Sequence, residues 1–242
     1  MRIGSKAVVF AAFLLFACKE EPRRRQRHNR APARAEQEYC GNRPISASGR
    51  ILPIAPIWQK CSEHCWATIM EMLGRYYGVK TRVCELAGSI RKGDRGVCCS
   101  LRDMCGDSSC NRPLMTEAID DMLLSEIGLK SQFAYRVLLE SELQTELSNG
   151  RPVIIGYAGP KKSHVALITG FYFEQDVGSG IKATYLVADP FNGFAPMDYQ
   201  QIAEGIGVDE PMLWEESWWR ISPREDGCNE QFDPLCGCEA SP

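Results

Sequence analysis

The chain has 242 residues, 44% of them hydrophobic, enough for one sizeable core with appendages. Its 28 basic residues are unevenly spread: nine lie in residues 1–39 beside four acids, leaving the remainder with 19 bases against 27 acids, a net charge of −8. A body that acidic is a poor partner for phosphate backbones, which argues against nucleic acid as its partner.

At the N-terminus, MRIGSK supplies a positive region and AVVFAAFLLFA an apolar run too short to span a bilayer as a helix. Residues 15–18, LFAC, resemble the lipobox of bacterial lipoprotein signals, which implies a signal peptide over 1–17, cleavage before Cys18 and lipidation of Cys18. Plain secretion is the alternative. Either way the mature protein leaves the cytoplasm, lipid-anchored in the cell envelope or secreted. Residues 18–39 have almost no large apolar side chains and cannot bury a core; they form a disordered, charged tether, and His28 within it is idle.

Twelve cysteines in an exported chain argue for a disulfide framework. Setting aside Cys18 leaves eleven, an odd number, so one thiol stays free or pairs outside the chain. The cluster VCCSLRDMCGDSSC at 97–110 reads as disulfides; structural zinc is the competing reading, but paired CxxC hooks and a nearby histidine are lacking. CNEQFDPLCGC at 228–238 reads as a stapled tail within 223–242.

Beyond Pro56, QKCSEHCWATIMEMLG opens the first helical pattern. Trp66, Ile69, Met70, Leu73 and Tyr77 keep helical spacing from a start near Ser62, a plausible N-cap, and Gly78 stops it. Residues 85–112 form a Gly- and Cys-rich insertion. Helices follow over about 114–127 and 138–148. The texture then turns to β: 152–158, 164–173 and 183–189, a helical turn near 198–205, and a strand over 213–222. Helices first and strands later predict an α+β domain with segregated halves, spanning 40–242.

Cys65 falls in the first turn of the first helix, where unpaired N–H groups and the positive end of the helix dipole favour a thiolate. A disulfide at Cys65, or a metal clasp of Cys61, His64 and Cys65, stays open as an alternative. A thiolate needs a base. His64 adjoins Cys65, and adjacent helical side chains diverge. His164 begins an apolar strand and is the better candidate, a purely structural role being its alternative. Antiparallel pairing of 164–173 with 183–189 would bring the start of one strand opposite the end of the other, and with them His164 and Asp189. Asp189 is preferred as the group orienting the imidazole, since the DP corner fixes it; Asn192 is the alternative.

These residues carry a resemblance. QKCSEHCW is similar to the active-site segment of papain-like cysteine peptidases, in which a glutamine precedes the nucleophile by six positions and an aromatic follows it. LSNGRPVIIGY, SHVALITGF and VADPFNG resemble the compact bacterial branch, the C39-type bacteriocin-processing and AvrRpt2-type (C70) peptidases. The resemblance covers about residues 50–220. It implies a papain-like fold, with a helical half carrying the nucleophile packed on an antiparallel β half. It also implies an exported thiol peptidase in which Cys65 attacks, His164 moves the proton, Asp189 orients it and Gln59 helps form the oxyanion hole. Cys61 would staple the loop before the helix. No cofactor or metal is implied, and the partners are a protein or peptide substrate and, through the lipid, a membrane; a monomer is expected. The rival readings are a catalytically silent, lipoprotein-borne binding module and an amidase or acyltransferase using the same constellation.

Overall fold

A computed structural model describes residues 49–90, 94–160, 162–176, 180–205 and 212–224 of the chain. The signal, the tether, Cys18, His28, Cys40, Lys161 and the terminal cysteines lie outside the described residues. The described elements in order are β1 (Arg50–Ile51), α1 (Cys65–Tyr76), α2 (Val83–Ser89), α3 (Val97–Ser100), α4 (Ala118–Ile127), β2 (Leu129–Ala134) and α5 (Glu140–Ser148). After them come β3 (Val153–Ala158), β4 (Ser163–Asp176), β5 (Gly180–Asp189), β6 (Gly193–Asp198), α6 (Tyr199–Glu204) and β7 (Leu213–Pro223).

All strand pairs are antiparallel, in the order β2-β7-β3-β4-β5-β6, with β1 pairing β4. Sequential β3, β4, β5 and β6 form a meander whose central strands read as continuous apolar runs, since both neighbours and the helices cover them. The fold is α+β, as the succession of helical and β-rich stretches predicts. Segregation is incomplete, because β1 precedes all the helices and β2 lies between α4 and α5.

α1 is the central helix. All nine residues from Trp66 to Gly74 are buried, among them Glu71, which accepts from the Val83 amide at 2.7 Å and pairs with Arg75 at 2.5 Å. A helix covered on every side belongs inside a domain, and α1 packs against β4 while its tyrosines reach other elements. Tyr76 donates to the Gly150 carbonyl at 2.7 Å and Tyr77 to the Ile221 carbonyl at 2.6 Å. Tyr77 caps the helix, and Gly78 leaves it with φ +79, the left-handed stop that glycine adopts at least cost. Leu73 is fully buried in this core. Leu73→Ala should lower the unfolding free energy by about 2–5 kcal/mol, read as a shifted denaturant midpoint at unchanged slope.

Several boundaries differ from the pattern reading. α1 starts at Cys65, not near Ser62, and its N-cap is His64, which makes no side-chain cap bond. A turn closed by His64 N–H to the Cys61 carbonyl at 3.3 Å occupies the residues before it. The helix expected over 114–127 starts at Ala118. The insertion holds two short helices, α2 and α3, with a small core of its own built on Ala87, Cys98 and Cys110. Its cysteines form Cys84–Cys99 and Cys98–Cys110, and Cys61–Cys105 ties it to the loop before α1. The 97–110 cluster is thus a disulfide staple, and no metal-holding group of side chains occurs among the described residues.

Candidate active site

The site is assembled from both halves. Cys65 is the first residue of α1, so its N–H has no partner within the helix. It is partly exposed and is the one free cysteine among the described residues. The loop before it is pinned at two points. Gln59 donates its backbone N–H to the Pro190 carbonyl at 2.8 Å, which joins this loop to the turn after β5. Four residues before the thiol, Cys61 is fixed by its bridge to Cys105.

His164 and Asp189 come from adjacent strands. In the β4–β5 register Leu167 pairs with Ala188, so Asp189, one residue further on, faces Ala166. His164, two residues before Ala166, lies diagonally across on the same face, within reach of a long side chain. The outcome is an Nε2 to Oδ1 distance of 2.9 Å, with side-chain exposures of 12% for His164 and 6% for Asp189. With Nε2 taken by Asp189, Nδ1 is the ring nitrogen left to serve Cys65, which is among the groups that raise the His164 pKa.

Asp189 is held in turn by the DPFNG corner. Its Oδ1 accepts from the Phe191 amide at 2.7 Å and the Asn192 amide at 3.1 Å, and its Oδ2 accepts from Asn192 Nδ2 at 3.0 Å. Asn192, the alternative orienting residue, is therefore spent on Asp189. Gly193 closes the corner at φ +83, where a side chain would also meet the Trp58 ring.

Burial by itself lowers the basicity of His164, but hydrogen bonds to Asp189 and Cys65 and their negative charge outweigh it and raise its pKa to about 9. Burial alone would raise the Asp189 carboxyl, but His164 and the corner donors hold it below the usual carboxylate range. The imidazole is thus biased to stay protonated at neutral pH beside a thiol and a carboxylate.

Gln59 lies in the same loop. Its Nε2 donates to the Cys61 and Ser62 carbonyls at 3.1 Å each, while Oε1 is buried without a hydrogen-bond partner. His64 points elsewhere: fully buried, with Nε2 at 2.8 Å from the Cys110 carbonyl, it has its pKa lowered chiefly by burial. The clasp of Cys61, His64 and Cys65 is therefore not assembled, since Cys61 is bridged and His64 faces the insertion. Lys162 is exposed.

Two features of the site escape a reading of the pattern. Trp58 and Phe191, 59% and 66% exposed, flank Gln59 and Asp189, and an isolated aromatic in a loop carries no periodicity to flag it. Residues 110–112 also touch the nucleophile's neighbours, and nothing in CNR signals that contact.

The model of the papain-like cysteine protease AvrRpt2 family, Peptidase_C70, matches residues 52–197. No curated protein matches the chain. Among solved structures, the chain is similar to a double glycine motif protease from an AMS/PCAT transporter, solved in complex with the leader peptide. That match has 15% identity and a TM-score of 0.47, covering 75% of this chain and 98% of the other. It is also similar to the peptidase domain of Streptococcus ComA, a bi-functional ABC transporter involved in a quorum sensing pathway. Here identity is 11% and the TM-score 0.45, covering 71% of this chain and 99% of the other.

Proposed function

The chain belongs to the papain-like cysteine protease family of AvrRpt2, and from that premise we propose that it is an exported thiol peptidase acting through Cys65, His164, Asp189 and Gln59. One observation carries the assignment of residues. The free thiol at the tip of α1 is one of the groups that raise the pKa of an imidazole whose Nε2 is held by a buried carboxylate.

The thiolate of Cys65 adds to the carbonyl carbon of the scissile peptide, and the carbonyl electrons move onto oxygen. His164, protonated by virtue of its neighbours, gives its Nδ1 proton to the leaving amine as the C–N bond breaks and a thioester forms. Neutral His164 then takes a proton from water, whose oxygen attacks the thioester; acid is released and the thiolate–imidazolium pair returns. Asp189 keeps the ring in the tautomer and orientation both steps need. The oxyanion would be met by the Cys65 N–H and by Gln59 Nε2, which must turn one N–H from a loop carbonyl to the substrate. Catalytic hydrogen bonds commonly tighten only when substrate is bound.

Iodoacetamide should modify Cys65 stoichiometrically in the folded protein, and cleavage of a peptide library should be lost in step with labelling. Folded protein whose labelling leaves cleavage intact would refute the assignment. Gln59→Ala should fold normally and lose about 10²–10³ in kcat, or roughly 2.7–4 kcal/mol of transition-state stabilisation; an undiminished kcat would remove Gln59 from the oxyanion hole.

The three disulfides among the described residues fit an oxidising compartment, which supports export through residues 1–17. Lipidation of Cys18 would anchor the mature protein to a membrane. Cys18→Ser should then move it from the membrane to the soluble fraction, and an unchanged distribution would count against the anchor.

A further inference from the structure

Three consecutive residues of the insertion grip three of the residues that flank the nucleophile. The Cys110 carbonyl lies 2.8 Å from His64 Nε2; Asn111 Oδ1 accepts the Glu63 amide at 3.0 Å; the Arg112 carbonyl accepts Trp66 Nε1 at 3.1 Å. Asn111 Nδ2 also donates to Ser62 Oγ at 3.2 Å and to the Cys105 carbonyl at 3.1 Å. Positions 62, 63, 64 and 66 are thus all held from one segment, and Cys65 alone in that stretch stays free to react. The N-cap of α1 makes no side-chain cap bond, so the helix start is fixed from outside. The gripping segment is itself anchored, since Cys110 is bridged to Cys98 and Cys105, six residues before Asn111, is bridged to Cys61.

We propose that segment 110–112 is a positioning element for the nucleophile, and that Asn111 is its decisive side chain, setting Cys65 against His164 through the Glu63 amide. The proposal rests on the reading of Cys65 as the nucleophile. Cys110 and Arg112 act through backbone carbonyls, which substitution does not remove, so Asn111 is where a side-chain change can open the grip. The hydrogen bonds of Asn111 go to Ser62, Glu63, Cys105 and Asp107 rather than to Cys65, His164 or Asp189, so its effect passes through the turn at 62–64.

The test is the rate of Cys65 alkylation by iodoacetamide as a function of pH, in the full chain with its disulfides verified by mass mapping. In the wild type, protonated His164 held beside the thiol should make the pH 6 rate higher than that of a free cysteine. Asn111→Ala should lower the pH 6 rate by about tenfold, as displacement by a fraction of an ångström at a reacting group does, with little change in melting temperature. Asn111→Asp keeps an acceptor for the Glu63 amide and should restore most of the pH 6 rate.

A wild-type profile that falls with pH like that of a free thiol would overturn the thiolate–imidazolium reading whatever Asn111 does. A paired wild-type profile with an Asn111→Ala profile superposed on it would overturn the proposal and leave that reading standing. Equal slowing in Asn111→Asp would overturn the route through the Glu63 amide. Should Asn111→Ala fail to form its disulfides, Asn111→Ser, too short to span both partners, takes its place with the same two outcomes.

Discussion

Cys65→Ala should leave a folded protein with no measurable peptidase activity, a loss on the order of 10⁶ in kcat, the scale reached when a triad hydrolase loses its nucleophile. The fold should tolerate the change. Cys65 is only partly buried at the first position of α1, it belongs to no disulfide, and alanine is the best of helix formers. The denaturant midpoint should therefore stay close to wild type. A second consequence separates this reading from simple loss of packing. Cys65 is one of the groups that raise the His164 pKa to about 9, so its removal should lower that pKa, which a titration of the imidazole by NMR would follow. Persistent cleavage in Cys65→Ala would mean another nucleophile; an unmoved imidazole titration would mean that thiol and ring are not paired.

Asp189→Ala should cost on the order of 10⁴ in kcat, the scale for losing the orienting carboxylate of a triad. It removes the acceptor for His164 and for the Phe191 and Asn192 amides at once, so the corner after β5 loosens along with the ring. Asp189→Asn keeps an oxygen acceptor and should lose less, but without the negative charge the imidazolium is less favoured and the alkaline limb of the pH–rate profile should move to lower pH. The sign for stability follows from the same shifts. The folded-state pKa of His164 lies above its ordinary 6.5, so its contribution is fully present below about 6.5 and is lost as pH rises through about 9. The pKa of Asp189 lies below its ordinary 3.8, so its contribution is present above about 3.8 and is lost as pH falls through the depressed value. The stabilisation that Asp189→Ala removes should therefore be largest between about pH 4 and 6.5, measured as the difference in unfolding free energy. A difference that grew steadily above pH 9 would contradict the pairing.

Much of this architecture was legible because hydrophobic pattern and chemistry agreed. β3, β4 and β5 are runs of Val, Ile, Leu and Tyr ended by Gly and Pro signals, and α1 carries apolar residues at helical spacing up to Gly78. What escaped has a physical reason. β2, LKSQFA, is a strand whose polar residues mask the signal, and β6, GFAPMD, contains Pro196, which an edge strand tolerates and a pattern search discards. α2 keeps Val83, Leu86 and Ala87 at helical spacing and α3 spans only four residues, runs too short to stand out among the surrounding glycines and cysteines. The sequence places the start of α1 near Ser62 because serine is a good cap in isolation, whereas the turn closed on Cys61 and the contacts of Asn111 hold the chain there and the helix starts at Cys65. Cys65, His164, Asp189 and Gln59 stand out in the sequence as candidates by residue type and spacing, and the pairing of His164 with Asp189 is the part of that proposal that stands on a direct contact. Asn111 does not stand out, because an asparagine that accepts one amide from a segment 48 residues away leaves no local trace.

The bridge between Cys61 and Cys105 lies four residues from the free thiol proposed as the nucleophile. Dithiols that rescue a sulfenic or mixed-disulfide form of Cys65 are also the reagents that open cystines. Turnover should therefore climb with small additions of dithiothreitol and collapse with large ones, as the loop that presents the nucleophile comes loose. If Cys65 is the nucleophile as proposed, activity should be confined to a band of redox poise with an edge on either side, and lost outside it for opposite reasons.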